Sequence, residues 1–258
     1  AIIGQCLMDS GAADKITRKL LSILGEKRSA EALLGSGYFL SIPVFFDTVF
    51  FLLVPLARAL RLRTGRNYTL YIMAICTGAV ITHSLVPPTP GPLLMVENLP
   101  GLDLGMAIGV GFLLGLLPAI VCGLFFSRYV NNRLEIPLRE VAGSSREALE
   151  EIVQRSEDQL PSFFFSTLPV VLPIALITGN TFMQYLSASG NLGISDSLLG
   201  IGAFLGNKNC ALLLAAFFSV WLLISQKKQS LSQLATRLET GIVSAGIIIL
   251  ITSAGGAF

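Results

Sequence analysis

Charged side chains are confined to a few blocks, and the runs between them are long enough to cross a bilayer. Residues 32–57 hold one charge, Asp47, while 69–96, 105–127, 162–186 and 241–258 hold none, and 198–225 holds only Lys208. A hydrocarbon core of about 30 Å asks for about 20 apolar residues in a helix. Overall 13% of the 258 residues are charged and 53% are hydrophobic, against about 25% charged in soluble domains. The pattern predicts an all-α, polytopic membrane protein. The net charge of +2 and the lack of a basic-aromatic stripe argue against nucleic acid as a partner.

Three of the runs are interrupted. Residues 32–57 contain SIPVFFDT, with Pro43 and Asp47; residues 69–96 run into THSLVPPTPGP; residues 198–225 are split by GNKN. Broken backbone at membrane depth survives only where protein or water satisfies the freed groups. Half-helix N-termini at such breaks carry positive partial charge and attract anions. The breaks therefore predict peptide dipoles offered to an anionic solute.

Segment 105–127 is the cleanest span, and Gly105, Gly109, Gly111 and Gly115 give it small faces for close packing. Residues 14–31 place Ile16, Leu20, Ile23 and Leu24 on one helical face and read as an interfacial helix. In 128–160, Ser144 and Glu147 form a capping-box pattern, and Glu151 and Arg155 an i,i+4 pair, so this stretch reads as a solvated cytoplasmic linker. The four cysteines lie far apart in apolar runs and read as packing residues rather than disulfide or metal sites.

Lys and Arg number five in 14–31, four in 58–66, five in 128–160 and three in 226–240. Loops 97–104 and 187–209 hold none and one. The positive-inside rule assigns the four basic loops to the cytoplasm. They agree only if 32–57 is a re-entrant hairpin turning near Pro43, with arms of about 18 Å each. The alternative is one long tilted helix, which would put 14–31 outside.

Two ionisable groups lie inside apolar runs. Asp47 is the acidic residue well within a run, and an intramembrane ionisable group is a functional hypothesis by default. His83, the sole histidine, is a candidate proton carrier or substrate donor, the alternative being a ring held by a backbone carbonyl. Thr48, Thr82, Thr89 and Gly91 are candidate substrate contacts, and Pro43, Pro87, Pro88, Pro90 and Pro92 shape the backbone. Ser253 and Gly255 in ITSAGGAF are a further close-approach point, the alternative being a packed helix. No GxSxG, HExxH or Walker loop supports an enzyme, and no cofactor or catalytic group is expected.

In order, LMDSGAADKI (7–16), IPVFFDTVFFLLVPLAR (42–58), ITHSLVPPTPGP (81–92), LPSFFFSTLPVVLPI (160–174) and SAGGAF (253–258) resemble the gluconate permease family of bacterial proton symporters. The resemblance implies an elevator-type carrier of two inverted repeats in the inner membrane, taking up a sugar acid with protons. On that pattern 1–127 is the first-repeat transport unit, 128–160 a linker, 161–240 further spans, and 241–258 the start of a second repeat. The chain then reads as an internal piece of a longer protein. Asp47 and His83 would couple protons, and Thr82 and His83 match the family's TH pair. Thr89 stands where the family often has histidine, which points from gluconate toward another hydroxy acid. The lipid bilayer, protons and a small anionic sugar acid are the implied partners, with a homo-oligomer left open. The other functional reading is a sodium-coupled carrier or passive channel for organic anions on a related fold.

Overall fold

The computed structural model describes residues 2–134, 136–137, 160–188 and 195–227, with isolated positions between 235 and 253. Its elements are helices: α1 (Ile2–Asp9), α2 (Ala12–Leu24), α3 (Ser29–Leu40), α4 (Phe46–Thr64), α5 (Tyr68–Leu85), α6 (Pro90–Asn98), α7 (Leu104–Ile120), a π-helical turn (Val121–Phe126), α8 (Ser127–Asn131), α9 (Phe163–Ala188), α10 (Asp196–Leu205) and α11 (Lys208–Lys227). No strand occurs among the described residues. Among the described residues four stretches are long and apolar enough to cross a membrane: Tyr68–Asn98, Leu104–Asn131, Phe163–Ala188 and Lys208–Gln226.

All three expected interruptions are present. The run 32–57 is two helices separated at 41–45, not one tilted helix, and α5 and α6 part at 86–89. Helices α10 and α11 part at 206–207, where the Asn207 carboxamide oxygen accepts from the Asn209 amide at 3.0 Å. That local cap accounts for Asn207 without a solute.

The expected interfacial helix at 14–31 is divided. Gly25, with φ of 76°, ends α2 by donating to the Leu21 carbonyl at 2.8 Å, a left-handed conformation that suits glycine. A short 3₁₀ turn follows, and α3 begins at Ser29. The α2 apolar face packs against α3 and α9 through buried Ile16 and partly buried Leu20, whereas Ile23 near its end is 66% exposed. The capping-box and i,i+4 expectations at Ser144–Arg155 fall outside the described residues.

The centre of the molecule is the α3–α5 crossing, where the helices touch backbone to backbone. A Cβ on Gly37 would lie 2.9 Å from the Ile75 carbonyl oxygen, and one on Gly78 would strike the Leu34 carbonyl. Ala74, Ala79, Leu33 and Leu34 fill the same seam. Small residues permit such approach where no hydrophobic drive exists between helices in lipid. The glycines of α7 behave as expected at three of four positions. Gly105 seats against Thr181, Gly111 against the Leu85 carbonyl and Gly115 against Tyr38, while Gly109 faces open space.

Pro118 removes an amide from α7, and a π-helical turn follows it, with Ser127 Oγ donating to the Cys122 carbonyl at 2.7 Å. Asp103 caps α7 by accepting from the Met106 amide at 2.9 Å, and accepts again from Thr181 Oγ1 of α9 at 2.7 Å. An ion pair joins Glu31 of α3 to Arg128 of α8, and another joins Glu97 of α6 to Lys208 of α11.

Candidate functional site

The first break runs from Ser41 to Phe45. Helix α3 stops as Ser41 and Ile42 donate back to Gly37 and Phe39 carbonyls at 3.1 and 3.4 Å. Pro43 cannot donate, and the chain re-enters a helix at Phe46 with no side-chain cap on α4. The amides of Phe46, Asp47 and Thr48 therefore have no intrahelical acceptor. They form the positive end of α4, where negative charge is favoured. Asp47 is exposed in that first turn, and Thr48 is half-buried beside it.

The second break begins where Val86, preceding Pro87, takes an extended conformation with ψ of 116°, as a residue before proline tends to do. The Pro87–Pro88 peptide is cis. Thr89 Oγ1 donates to the Val86 carbonyl at 2.8 Å, and α6 then starts through Pro90 and Pro92. Because those two prolines lack amide hydrogens, Gly91 supplies the donor of that turn. The two helix starts thus differ: α4 offers a row of amides and α6 almost none. Gly91 is exposed and faces open space, so no close approach requires glycine there.

Both breaks are enclosed by protein rather than laid open to lipid. Ser41, Ile42 and Val44 are buried in the first, and Val86, Pro87 and Thr89 in the second. They meet at a cavity of about 320 Å³ lined by residues 42–45 and 88–90, with Ile2 and Ile3 of α1 and Leu212 and Ala216 of α11.

The TH pair stands at the last turn of α5, directly before the second break. Thr82 is fully buried and its Oγ1 has no hydrogen-bond partner. His83 Nδ1 is also buried without a partner. The His83 ring meets Phe45 of the first break edge-on, with centroids 5.8 Å apart. Phe45 in turn lies two residues before Asp47, which stands in the first turn of α4. The structure therefore brings Asp47, Thr82, His83, Thr89, Pro43 and Pro88 into one neighbourhood. Of the more distant candidates, Ser253 is an exposed helical residue and Gly255 falls outside the described residues.

Tyr38 was not singled out by the sequence. It is 4% exposed, its ring packs edge-on to Phe112 at 5.1 Å, and its hydroxyl donates to the Phe112 carbonyl. The hydroxyl also lies beside Thr82, yet its proton is committed to Phe112 and no aligned bond reaches Thr82 Oγ1. A lone phenolic hydroxyl within an apolar stretch of helix was the available signal. Among the described residues no group of three or more His, Cys, Asp or Glu side chains converges as metal coordination requires.

A profile of the GntP family permeases matches residues 1–258. Among curated proteins the chain is 34% identical to an uncharacterized permease of Haemophilus influenzae over 99% of its own length and 52% of the relative's. It is 29% identical to a gluconate permease of Pseudomonas aeruginosa over 100% of its length and 55% of the relative's. It is 30% identical to the D-serine transporter DsdX of Escherichia coli, with the same coverage of each chain. The chain spans about half the length of the curated relatives it matches. No solved structure matches.

Proposed function

Because the chain belongs to the GntP family of permeases, we propose that it forms part of a proton-coupled carrier that takes up gluconate or a related small hydroxylated organic acid. Its family places it among transporters rather than enzymes. It is a multi-pass protein of the bacterial inner membrane, in keeping with four helices long and apolar enough to span. Gluconate and D-serine, named for two of its relatives, share a carboxylate and at least one hydroxyl. That shared chemistry defines the substrate class.

The observation that carries this reading is a pair of buried polar atoms, Thr82 Oγ1 and His83 Nδ1, left without partners beside the meeting point of two breaks. A buried polar group without a partner costs about 1–3 kcal/mol, so its persistence calls for a ligand that supplies one. In the proposed mechanism the solute carboxylate docks at the bare amides of α4, and Thr82 and His83 meet its hydroxyls. A carboxylate arriving beside Asp47 is repelled unless a proton accompanies it. That repulsion, relayed to His83, links solute binding to proton binding. On this reading 32–57 is a hairpin and 241–258 opens an inverted repeat, and the fractured helices ride as part of an elevator.

Uptake by vesicles bearing the full-length protein tests the reading. Accumulation of gluconate or a related acid is expected when a proton gradient is imposed; accumulation that follows sodium instead, or none at all, refutes it. Replacing Asp47→Asn should leave facilitated exchange but abolish concentration against the gradient. Unaltered proton-driven accumulation in that variant removes Asp47 from the coupling step.

A further inference from the structure

The cavity between the two breaks is chemically lopsided. Ile42, Val44 and Phe45 form one wall, Leu212 and Ala216 another, and three of its lining residues are prolines, which have no amide hydrogen to give. Thr89 is the one lining residue with a polar side chain, and its proton is already held by the Val86 carbonyl at 2.8 Å. Donors gather instead at one end, where the uncapped start of α4 follows directly on Phe45. A solute that fits has a charged head for that end and a body that needs no hydrogen bonds.

From this asymmetry we infer that the preferred substrate is a small hydroxy acid with a short, branched alkyl body rather than a polyhydroxylated sugar acid. The inference deepens the carrier reading and rests on it. A sugar acid such as gluconate carries a hydroxyl on every carbon beyond its carboxylate. Most of these would enter an apolar wall without partners, and a pocket that cannot pair a buried hydroxyl selects against it. An alkyl body loses nothing on leaving water and fills the space with dispersion contacts. At about 320 Å³ the cavity lies at the lower end of the range for ligand sites, about 300–1,000 Å³. That size limits the body to a few carbons. Ala216 and Leu212 then act as specificity-determining residues, since they set the polarity of the wall facing both breaks.

The test measures proton-driven uptake by vesicles bearing the full-length protein, with labelled gluconate and labelled 2-hydroxyisovalerate compared directly. Each unlabelled acid is also run as a competitor. The alkyl hydroxy acid is expected to compete at a concentration about tenfold or more below that of gluconate, the discrimination a few methylenes give in an apolar pocket. Ala216→Ser, with Leu212→Asn as a second variant, should move that ratio toward gluconate by about threefold or more. Each variant is checked for unchanged elution in detergent. Uptake of gluconate with equal or better competition overturns this inference and leaves the carrier reading standing. A ratio unmoved in both well-folded variants also overturns it, because another part of the protein then fills the cavity. Failure of both acids to accumulate overturns the inference together with the carrier reading.

Discussion

Thr82 sits at full burial with an unmatched hydroxyl, which separates stability from function at a single atom. Replacing Thr82→Val keeps the shape and removes the orphaned oxygen. The folded protein should be as stable as the parent, or more stable by about 1 kcal/mol, while uptake falls at least tenfold. Thermal unfolding in detergent and vesicle uptake check the two halves; a large loss of stability would show that the hydroxyl has a structural partner. The sequence drew attention to this residue through its neighbour, since a sole histidine next to four prolines is conspicuous. Asp47 was legible for the same reason, as the one acid within a long apolar run. Tyr38 was not, because its hydrogen bond and ring contact are with Phe112, 74 positions further along the chain. Thr181 and Asp103 escaped notice likewise, joined by a bond between α9 and the start of α7. Pairings across such separations leave no local trace.

Helix breaks announce themselves locally, and here all three did. Proline at 43 and in 87–92, and glycine with asparagine at 206–207, act on their own backbone, so neighbouring residues sufficed to place them. The division at Gly25 was missed because an apolar stripe ran on through it, and periodicity outweighed one residue. The π-helical turn after Pro118 was missed too, since proline inside an apolar run reads equally well as a gentle kink. Glycines make the sharpest contrast between elements. Gly78→Ala pushes a methyl into the Leu34 carbonyl and should destabilise the protein by about 1–3 kcal/mol, the usual cost of overpacking. Gly91→Ala, at an open position in the first turn of α6, should be neutral or stabilising by about 0.4–1 kcal/mol. Unfolding in detergent ranks them, and equal melting points for the two variants would contradict the α3–α5 seam.

For the molecule as a whole, charge counting and the helices agree on where spans lie. The sidedness expected of them can be read by labelling. In a background free of native cysteines, Lys27→Cys and Arg66→Cys should react with an impermeant thiol reagent only from the cytoplasmic face, and Leu99→Cys only from the outer face. All three positions are exposed. Reaction of Lys27→Cys and Arg66→Cys from opposite faces would mean that α3 and α4 cross the bilayer rather than turn back within it. The gross class of the protein was legible because lipid imposes one rule on every residue of a span. The cavity was not, since its walls come from α1, the two breaks and α11, four regions that no periodicity connects.

The glycine seam has a mechanical meaning. Helices α3 and α5 lie backbone against backbone, with Gly37 and Gly78 leaving no slack between them, and each ends at one of the two fractures. The fractures are thus fixed to a common chassis and do not part like jaws. In the proposed carrier, exit would then come from the opposite bank of the cavity, by withdrawal of α1 and α11, or from displacement of the chassis and its load together.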